Sequence, residues 1–222
     1  GKINNEYVLG KAKDSFVIPD ALYALLASRI DTLHKQPKEM LRLASVIGKE
    51  FSVDALNALS NKDMPSLKRT LTELQSMSMI QEISHQSIYT ITHALMRDVV
   101  YNNIPDDTRK LLHKKTADYL VAQYQSELEE HTNELAYQYS NSNDIEKAFH
   151  YLVKAGDESH KVYLLHEAHR YYTEAIACFT NNLERLSDSY LTLIELQYKV
   201  GIVNQILGKL DIALTSLNEA LK

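Results

Sequence analysis

Apolar positions recur along this chain at two different spacings, and the change of spacing divides it. Leu22, Leu25, Leu26, Ile30 and Leu33 fall on one face at helical spacing, and Pro19 suits the first turn of that helix. Pro37 opens a second helix, with Met40, Leu41, Ala44 and Ile47 as its stripe and Gly48 at its end. Ser52 can cap a short helix carrying Val53, Leu56 and Leu59. Asp63 and Pro65 open the next, striped by Leu67, Leu71, Leu74 and Met77. The spacing then shortens. Met79–Ile83 and Ile88–Thr92 read as two strands, and the polar tetrapeptide Ser84–Ser87 fits a hairpin loop. A helix is expected from Thr92, which sets His93 at a helix amino end directly after a strand, and a further helix follows Pro105. Backbone N–H groups at such a start point outward unpaired, and the helix dipole favours negative charge there.

Beyond about residue 105 the pattern is helical throughout and contains an internal echo. Gly156, Ala168, Tyr172 and Ala175 recur as Gly201, Ala213, Leu217 and Ala220, each offset by 45 residues, with gaps of 12, 4 and 3 within each copy. Small residues at those gaps let two antiparallel helices approach closely, and the larger residue fills the groove. This is the tetratricopeptide pattern, whose usual period is about 34 residues. The longer offset places an extended helix or loop near Asn181–Ser189, and Gly208 falls at the turn of the second copy. A weaker earlier copy carries Leu135, Ala136, Tyr139, Ala148, Leu152 and Ala155. Three helices followed by a β-hairpin is the order of a winged helix. The expected fold is therefore mainly α: a winged-helix unit at 37–104 with a small β-hairpin, preceded by a linker region at 1–36 and followed by an α-helical tetratricopeptide-like solenoid at 105–222.

Composition narrows the function. Scarce glycine and proline and the absence of tryptophan accompany many helix-forming residues among the 222. The net charge of −5 offers no overall basic field for nucleic acid. Lys68 and Arg69 lie on the helix that would read DNA, but residues 38–101 balance seven Lys and Arg against seven Asp and Glu. No apolar run approaches the roughly 20 residues of a spanning helix, so no membrane partner is expected. The lone cysteine, Cys178, has no internal disulfide partner, which fits a reducing, cytoplasmic setting, and its place in the repeat points to packing. The chain opens without a start methionine and stops inside a helical pattern, as a fragment of a longer protein would.

Candidate chemistry is sparse. Gly-Lys occurs at 1–2, 10–11, 48–49 and 208–209, never followed by Ser or Thr, so no phosphate-binding loop is present, and there is no nucleophile elbow. His166 and His169 are three apart on one helix and suit a solvated face better than a metal site. The aromatics Tyr137, Tyr139, Phe149, Tyr151, Tyr163, Tyr171 and Tyr172 mostly suit inter-helix packing, with a surplus for a peptide partner. His93 is the residue singled out for a phosphate contact; its plainer role is a histidine bonding a carbonyl at the helix start. No catalytic or metal-ligating set emerges.

The run THALMRDVVYNNIPDDTRKLLHKKTADYL resembles a phrase of the signal-transduction ATPases with numerous domains (STAND ATPases). His93, Leu95, Arg97, Asp98 and Tyr101 match a first motif, and Arg109, Leu112, His113, Ala117 and Leu120 a second. Upstream, Ile18, Pro19, Arg29, Asp31, Leu33, Ala44, Val46, Ile47, Gly48 and Phe51 match the family's run through the end of the ATPase lid and the start of the winged helix. Ile91-Thr92 stand where the family has an aromatic and an arginine before the histidine. The closest-looking members are ATPase modules joined to class III adenylyl or guanylyl cyclases and large LuxR-type regulators. The resemblance implies that 1–36 ends the ATPase lid and that an amino-terminal P-loop domain in cis binds ATP or ADP. It makes His93 the candidate ADP contact and the repeats the sensor for a protein or peptide. On this reading the fragment is not an enzyme and holds no cofactor of its own. The alternatives are a tetratricopeptide adaptor without nucleotide coupling and a winged-helix DNA binder.

Overall fold

Helices that pack on their neighbours in sequence order most of this chain. The computed structural model describes residues 20–84 and 87–220. In chain order these are α1 (Asp20–Asp31), α2 (Lys35–Ile47), β1 (Glu50–Ser52), α3 (Val53–Ser60), α4 (Met64–Ser76), β2 (Ile80–Ser84), β3 (Ile88–Ile91), α5 (Ala94–Asn102), α6 (Asp106–Gln123), α7 (Thr132–Ser140), α8 (Ile145–Lys161), α9 (Leu165–Asn181), a 3₁₀ turn (Ser187–Ser189), α10 (Tyr190–Ile206) and α11 (Leu210–Ala220). The protein is mainly helical, with one small antiparallel sheet in strand order β1-β3-β2.

The caps expected from the sequence form. Ser52 Oγ accepts from Ala55 N at 3.1 Å, and Asp63 Oδ2 accepts from Ser66 N at 3.1 Å. Each answers one of the unpaired N–H groups of a helix start. Helices α1–α5 and the sheet share one core, in which Leu41, Leu56, Leu67, Leu74 and Met96 are nearly or fully buried. On α1 the stripe is only half used: Ile30 and Leu33 enter that core, whereas Leu22 and Leu25 are 42% and 65% exposed. The helix rests on α5, and Arg29 Nη2 donates to the Met77 carbonyl at the end of α4. Pro19 and Ile18 lie outside the described residues, as do His85 and Gln86 of the expected hairpin loop. Ser84, expected in that loop, belongs to β2, beside a register irregularity between Glu82 and Ser84.

Two further features differ from the reading of the sequence. β1 was not expected: three residues between two helix signals are too few to show a period of two. It exists because β3 offers a free edge, with Glu50 opposite Thr90, Phe51 opposite Tyr89 and Ser52 opposite Ile88. The helix expected from Thr92 begins after His93 instead. Thr92 N donates to Met79 O at 3.0 Å, so Thr92 still belongs to the hairpin, and His93 is the residue before the first helical turn.

From α6 onward each helix packs on the next. The close approaches foreseen at the small residues are present. A Cβ on Gly156 would lie 2.4 Å from Tyr172 Cε1, and one on Gly201 would lie 2.6 Å from Leu217 Cγ. The turn geometry repeats at the same 45-residue offset. After α8, Tyr163 N donates to His160 O (3.0 Å) and Leu164 N to Ser159 O (2.9 Å); after α10, Gly208 N donates to Gln205 O (3.0 Å) and Lys209 N to Asn204 O (2.8 Å). This is the left-handed helix ending that glycine favours. Gly208 takes it at φ +74°, but the equivalent Tyr163 takes it at φ 59° with its side chain 79% exposed.

Replacing Tyr163 with glycine should therefore raise unfolding free energy by about 1 kcal/mol, since a side chain in the left-handed region costs roughly that much. Gly156→Ala should lower it by about 1–3 kcal/mol, because the added methyl meets a locked ring. Urea unfolding followed by circular dichroism measures both.

Candidate functional site

The last turn of a helix leaves carbonyls without partners, and at the end of α2 they are met from across the chain. Gln138, on α7, donates from Nε2 to the carbonyls of Val46 and Ile47, both at 3.1 Å. With both amide hydrogens used, Oε1 is left to accept. It lies 2.6 Å from Nδ1 of His113 on α6, so Nδ1 carries the proton and His113 Nε2 keeps its lone pair. Tyr101, on α5, completes the chain by donating its phenol to Nε2 at 2.8 Å. His113 and Gln138 are both fully buried. Four helices thus meet through one polar chain in which each donor has an acceptor.

The electrostatics favour the neutral imidazole over the cation. Burial is the main force lowering the His113 pKa; the nearby Arg109 cation adds to it, and the bond to Gln138 opposes it. Arg109 sits over the Tyr101 ring at 5.2 Å, and the Tyr137 ring meets the imidazole edge-on at 5.7 Å. Burial, then the neighbouring Tyr137 phenol, raises the Tyr101 pKa.

Along the helical array a second device occurs twice. Tyr139 donates to Asp118 at 2.9 Å, and Lys147 reaches the same carboxylate at 3.1 Å while lying 5.0 Å from the centre of the Tyr139 ring. Tyr172 donates to Asp157 at 2.7 Å, and Lys199 pairs with Asp157 at 2.7 Å while lying 5.7 Å from the centre of the Tyr172 ring. The first joins α6, α7 and α8; the second joins α8, α9 and α10. Burial, reinforced by the aspartate, pushes both phenols well above their ordinary pKa. Beside the second triad, α8 and the start of α10 enclose a cleft of about 650 Å³ with Phe149, Val153 and Leu186 among its apolar walls and His150, Lys154 and Arg185 among its polar ones.

His93 is exposed, directly before α5, and its side chain makes no capping hydrogen bond. The carbonyl-bonding role considered for it is not seen. Lys68 and Arg69 are exposed on α4, as a solvated helix face requires. His166 is exposed and His169 half-buried, and no group of three or more metal-holding side chains occurs among the described residues. Cys178 is half-buried, its thiol pushed up by burial, with Sγ 4.0 Å from the Ile145 carbonyl. Tyr139, Tyr172, Phe149 and Tyr171 are buried; Tyr137 and Tyr163 are the exposed surplus. Among the described residues no helix is long and apolar enough to cross a membrane.

Reading the sequence did not single out the His113–Gln138 pair. A signal was available: His113 lies one turn before Thr116 and Ala117 in the buried stripe of α6, and Gln138 sits between the stripe positions Leu135 and Tyr139 of α7. A polar residue in an apolar stripe needs a partner.

Removing that partner gives a direct measure of the clasp. Gln138→Leu orphans the His113 Nδ1–H and two carbonyls and should lower stability by about 3 kcal/mol in chemical denaturation. His113 also predicts a pH dependence. Its folded pKa is depressed, so between the unfolded value of about 6.5 and the lower folded value the unfolded chain binds the extra proton. Stability should be fully present above pH about 6.5 and fall as pH drops through that window, by at most about 1.4 kcal/mol per unit from this group. His169, lowered by burial and then by Lys209 and His166, acts in the same direction. Denaturation of His113→Gln between pH about 7.5 and 5 should show a shallower slope than the parent.

No family model, no curated protein and no solved structure matches this chain.

Proposed function

We propose that the chain is a non-catalytic regulatory and protein-interaction fragment of a STAND-type signalling ATPase. In this reading α2–α5 and the sheet form a winged helix that takes up the nucleotide state of a preceding P-loop domain. The helices from α6 onward form a tetratricopeptide-like solenoid that senses a protein or peptide. The observation that carries it is the Tyr101–His113–Gln138 chain bound to the end of α2. A coupling element needs its two parts to move as one, and a buried, fully satisfied polar chain fixes their relative position more narrowly than apolar contact does. The three helices followed by a hairpin, with β1 as a third strand, support the winged-helix part of the reading. The equal offsets of Gly156 and Gly201 and of the two helix endings support the repeats.

ATP and ADP belong to the full-length protein in this reading, and His93 is the residue offered to the ADP phosphate. Its exposure leaves the imidazole accessible from outside the fragment. A tetratricopeptide adaptor without nucleotide coupling is the second reading, favoured by the cleft along α8, which needs no other domain to form.

The full-length protein separates the two. His93→Ala should speed release of bound ADP on the order of tenfold, the loss of one charge-assisted hydrogen bond. Unchanged release takes His93 out of the mechanism. A preceding sequence without a P-loop motif leaves the adaptor as the better account.

A further inference from the structure

We propose that the turn between α8 and α9 is a docking tip, whose three apolar side chains seat in an apolar socket with an acidic rim on a folded partner protein. Val162, Tyr163 and Leu164 are consecutive in sequence and 64%, 79% and 56% exposed. A lone exposed apolar side chain needs no explanation, but a run of three is a fault in a fold unless something covers it. Together they present roughly 400 Å² of mostly apolar surface, within the range of patches that mark interaction sites on monomers. The turn is internal to the array: α8 packs on α7 and α9, and α9 packs on α8 and α10, so both helices that hold the tip already have a neighbour on either side. The tip lies apart from the cleft along α8, and its role holds with or without nucleotide coupling.

The internal repeat shows that the fold itself does not ask for these residues. At the 45-residue offset the same turn is built from Leu207, Gly208 and Lys209. There Leu207 packs against the core, and Gly208 takes the left-handed conformation at φ +74° with no side chain to strain it. In the earlier turn an aromatic holds the left-handed position at φ 59°, where a bulky side chain is unfavourable. Strain of this kind is kept where the residue serves something besides the fold. With Tyr163 so largely exposed, packing inside the chain does not account for it.

Charge selects the partner. Lys161 and Lys209 are exposed and enter no ion pair among the described residues. Beyond burial, Lys209 and then His166 lower the His169 pKa, which sets these groups close together at the start of α9. The acids nearest the tip in sequence are already engaged: Glu158 accepts from Thr132 at 3.0 Å and lies 3.9 Å from Lys154, and Glu167 is held by Arg170 at 3.0 Å. The tip is thus bordered by positive charge that the chain does not answer, although its net charge is −5. A socket rimmed by Asp or Glu complements it, and a tyrosine flanked by two aliphatic side chains is the kind of anchor that fills such a socket. An anionic lipid surface suits it less. The connection from α6 to α7 carries exposed Glu127, Glu129 and Glu130, and the 3.9 Å approach of Glu129 to Lys154 places them at the same end of the array.

Photocrosslinking in the cells that make the protein tests the proposal, with the photoreactive residue p-benzoylphenylalanine placed at position 163 of the full-length chain and, as a control, at the exposed position 111 of α6. A discrete protein should be crosslinked from position 163 and not from 111, and mass spectrometry should find Asp or Glu beside apolar residues in the crosslinked peptide. Lys161→Glu combined with Lys209→Glu should lower the yield about tenfold, as loss of charge complementarity requires. Support needs the acidic contact and the charge dependence together. Tyr163→Gly, which relieves the backbone and so keeps the fold, should weaken calorimetric binding of the purified captured protein about tenfold or more. The proposal is overturned by a yield at 163 no higher than at 111, by crosslinking to lipid alone, by a contact peptide without acidic residues, by indifference to the charge reversal, or by unchanged affinity in Tyr163→Gly.

Discussion

The side-chain amide of Gln138 ties α7 to the end of α2 and, through His113 and Tyr101, to α6 and α5. Its two hydrogens are taken by the last carbonyls of α2, its oxygen by His113, and through His113 it reaches Tyr101. The two carbonyls at one end, which can only accept, set the order of donors along the chain. A buried amide with all its bonds made is rigid; the same amide with one bond lost is a liability of the same magnitude. Position and integrity at the junction are therefore the same question. The fixed α6–α7 pair then sets the starting direction for every later helix.

Further along, rigidity is renewed rather than inherited. The Tyr139–Asp118–Lys147 and Tyr172–Asp157–Lys199 triads each tie three consecutive helices at their edges. The phenol body lies in the core while its hydroxyl reaches the half-exposed carboxylate, which is where an aromatic with a polar end is most useful. Between triads, glycine and alanine allow close helix approach. The cleft beside α8 and the apolar turn between α8 and α9 are surfaces that this stiff frame holds in place. Among the described residues no group of three or more His, Cys, Asp and Glu side chains is placed to hold a metal ion.

Much of the architecture was legible beforehand because it is local. Caps at Ser52 and Asp63 depend on residues three apart; helix spacing depends on neighbours within two turns; the 45-residue echo records a packing rule that operates within each helix pair. The same locality explains the failures. Leu22 and Leu25 keep the pattern of a buried stripe although both are exposed. β1 has no pattern of its own and is created by its partner. Thr92 carries a helix-start signal but is held in the hairpin by Met79.

The sequence by itself determined that the chain is mostly helical, where its helices are capped, that a hairpin interrupts them, and which small residues sit at close helix contacts. Each of these is decided by interactions a few residues long. It also marked His93, whose position before a helix needs only the strand and helix on either side of it. Only the tertiary structure decided that His113 and Gln138, 25 residues apart, meet each other and the end of α2, more than 90 residues away along the chain. The reason is physical: a polar residue in an apolar stripe announces that it needs a partner, but its identity depends on which distant carbonyls the fold leaves unpaired.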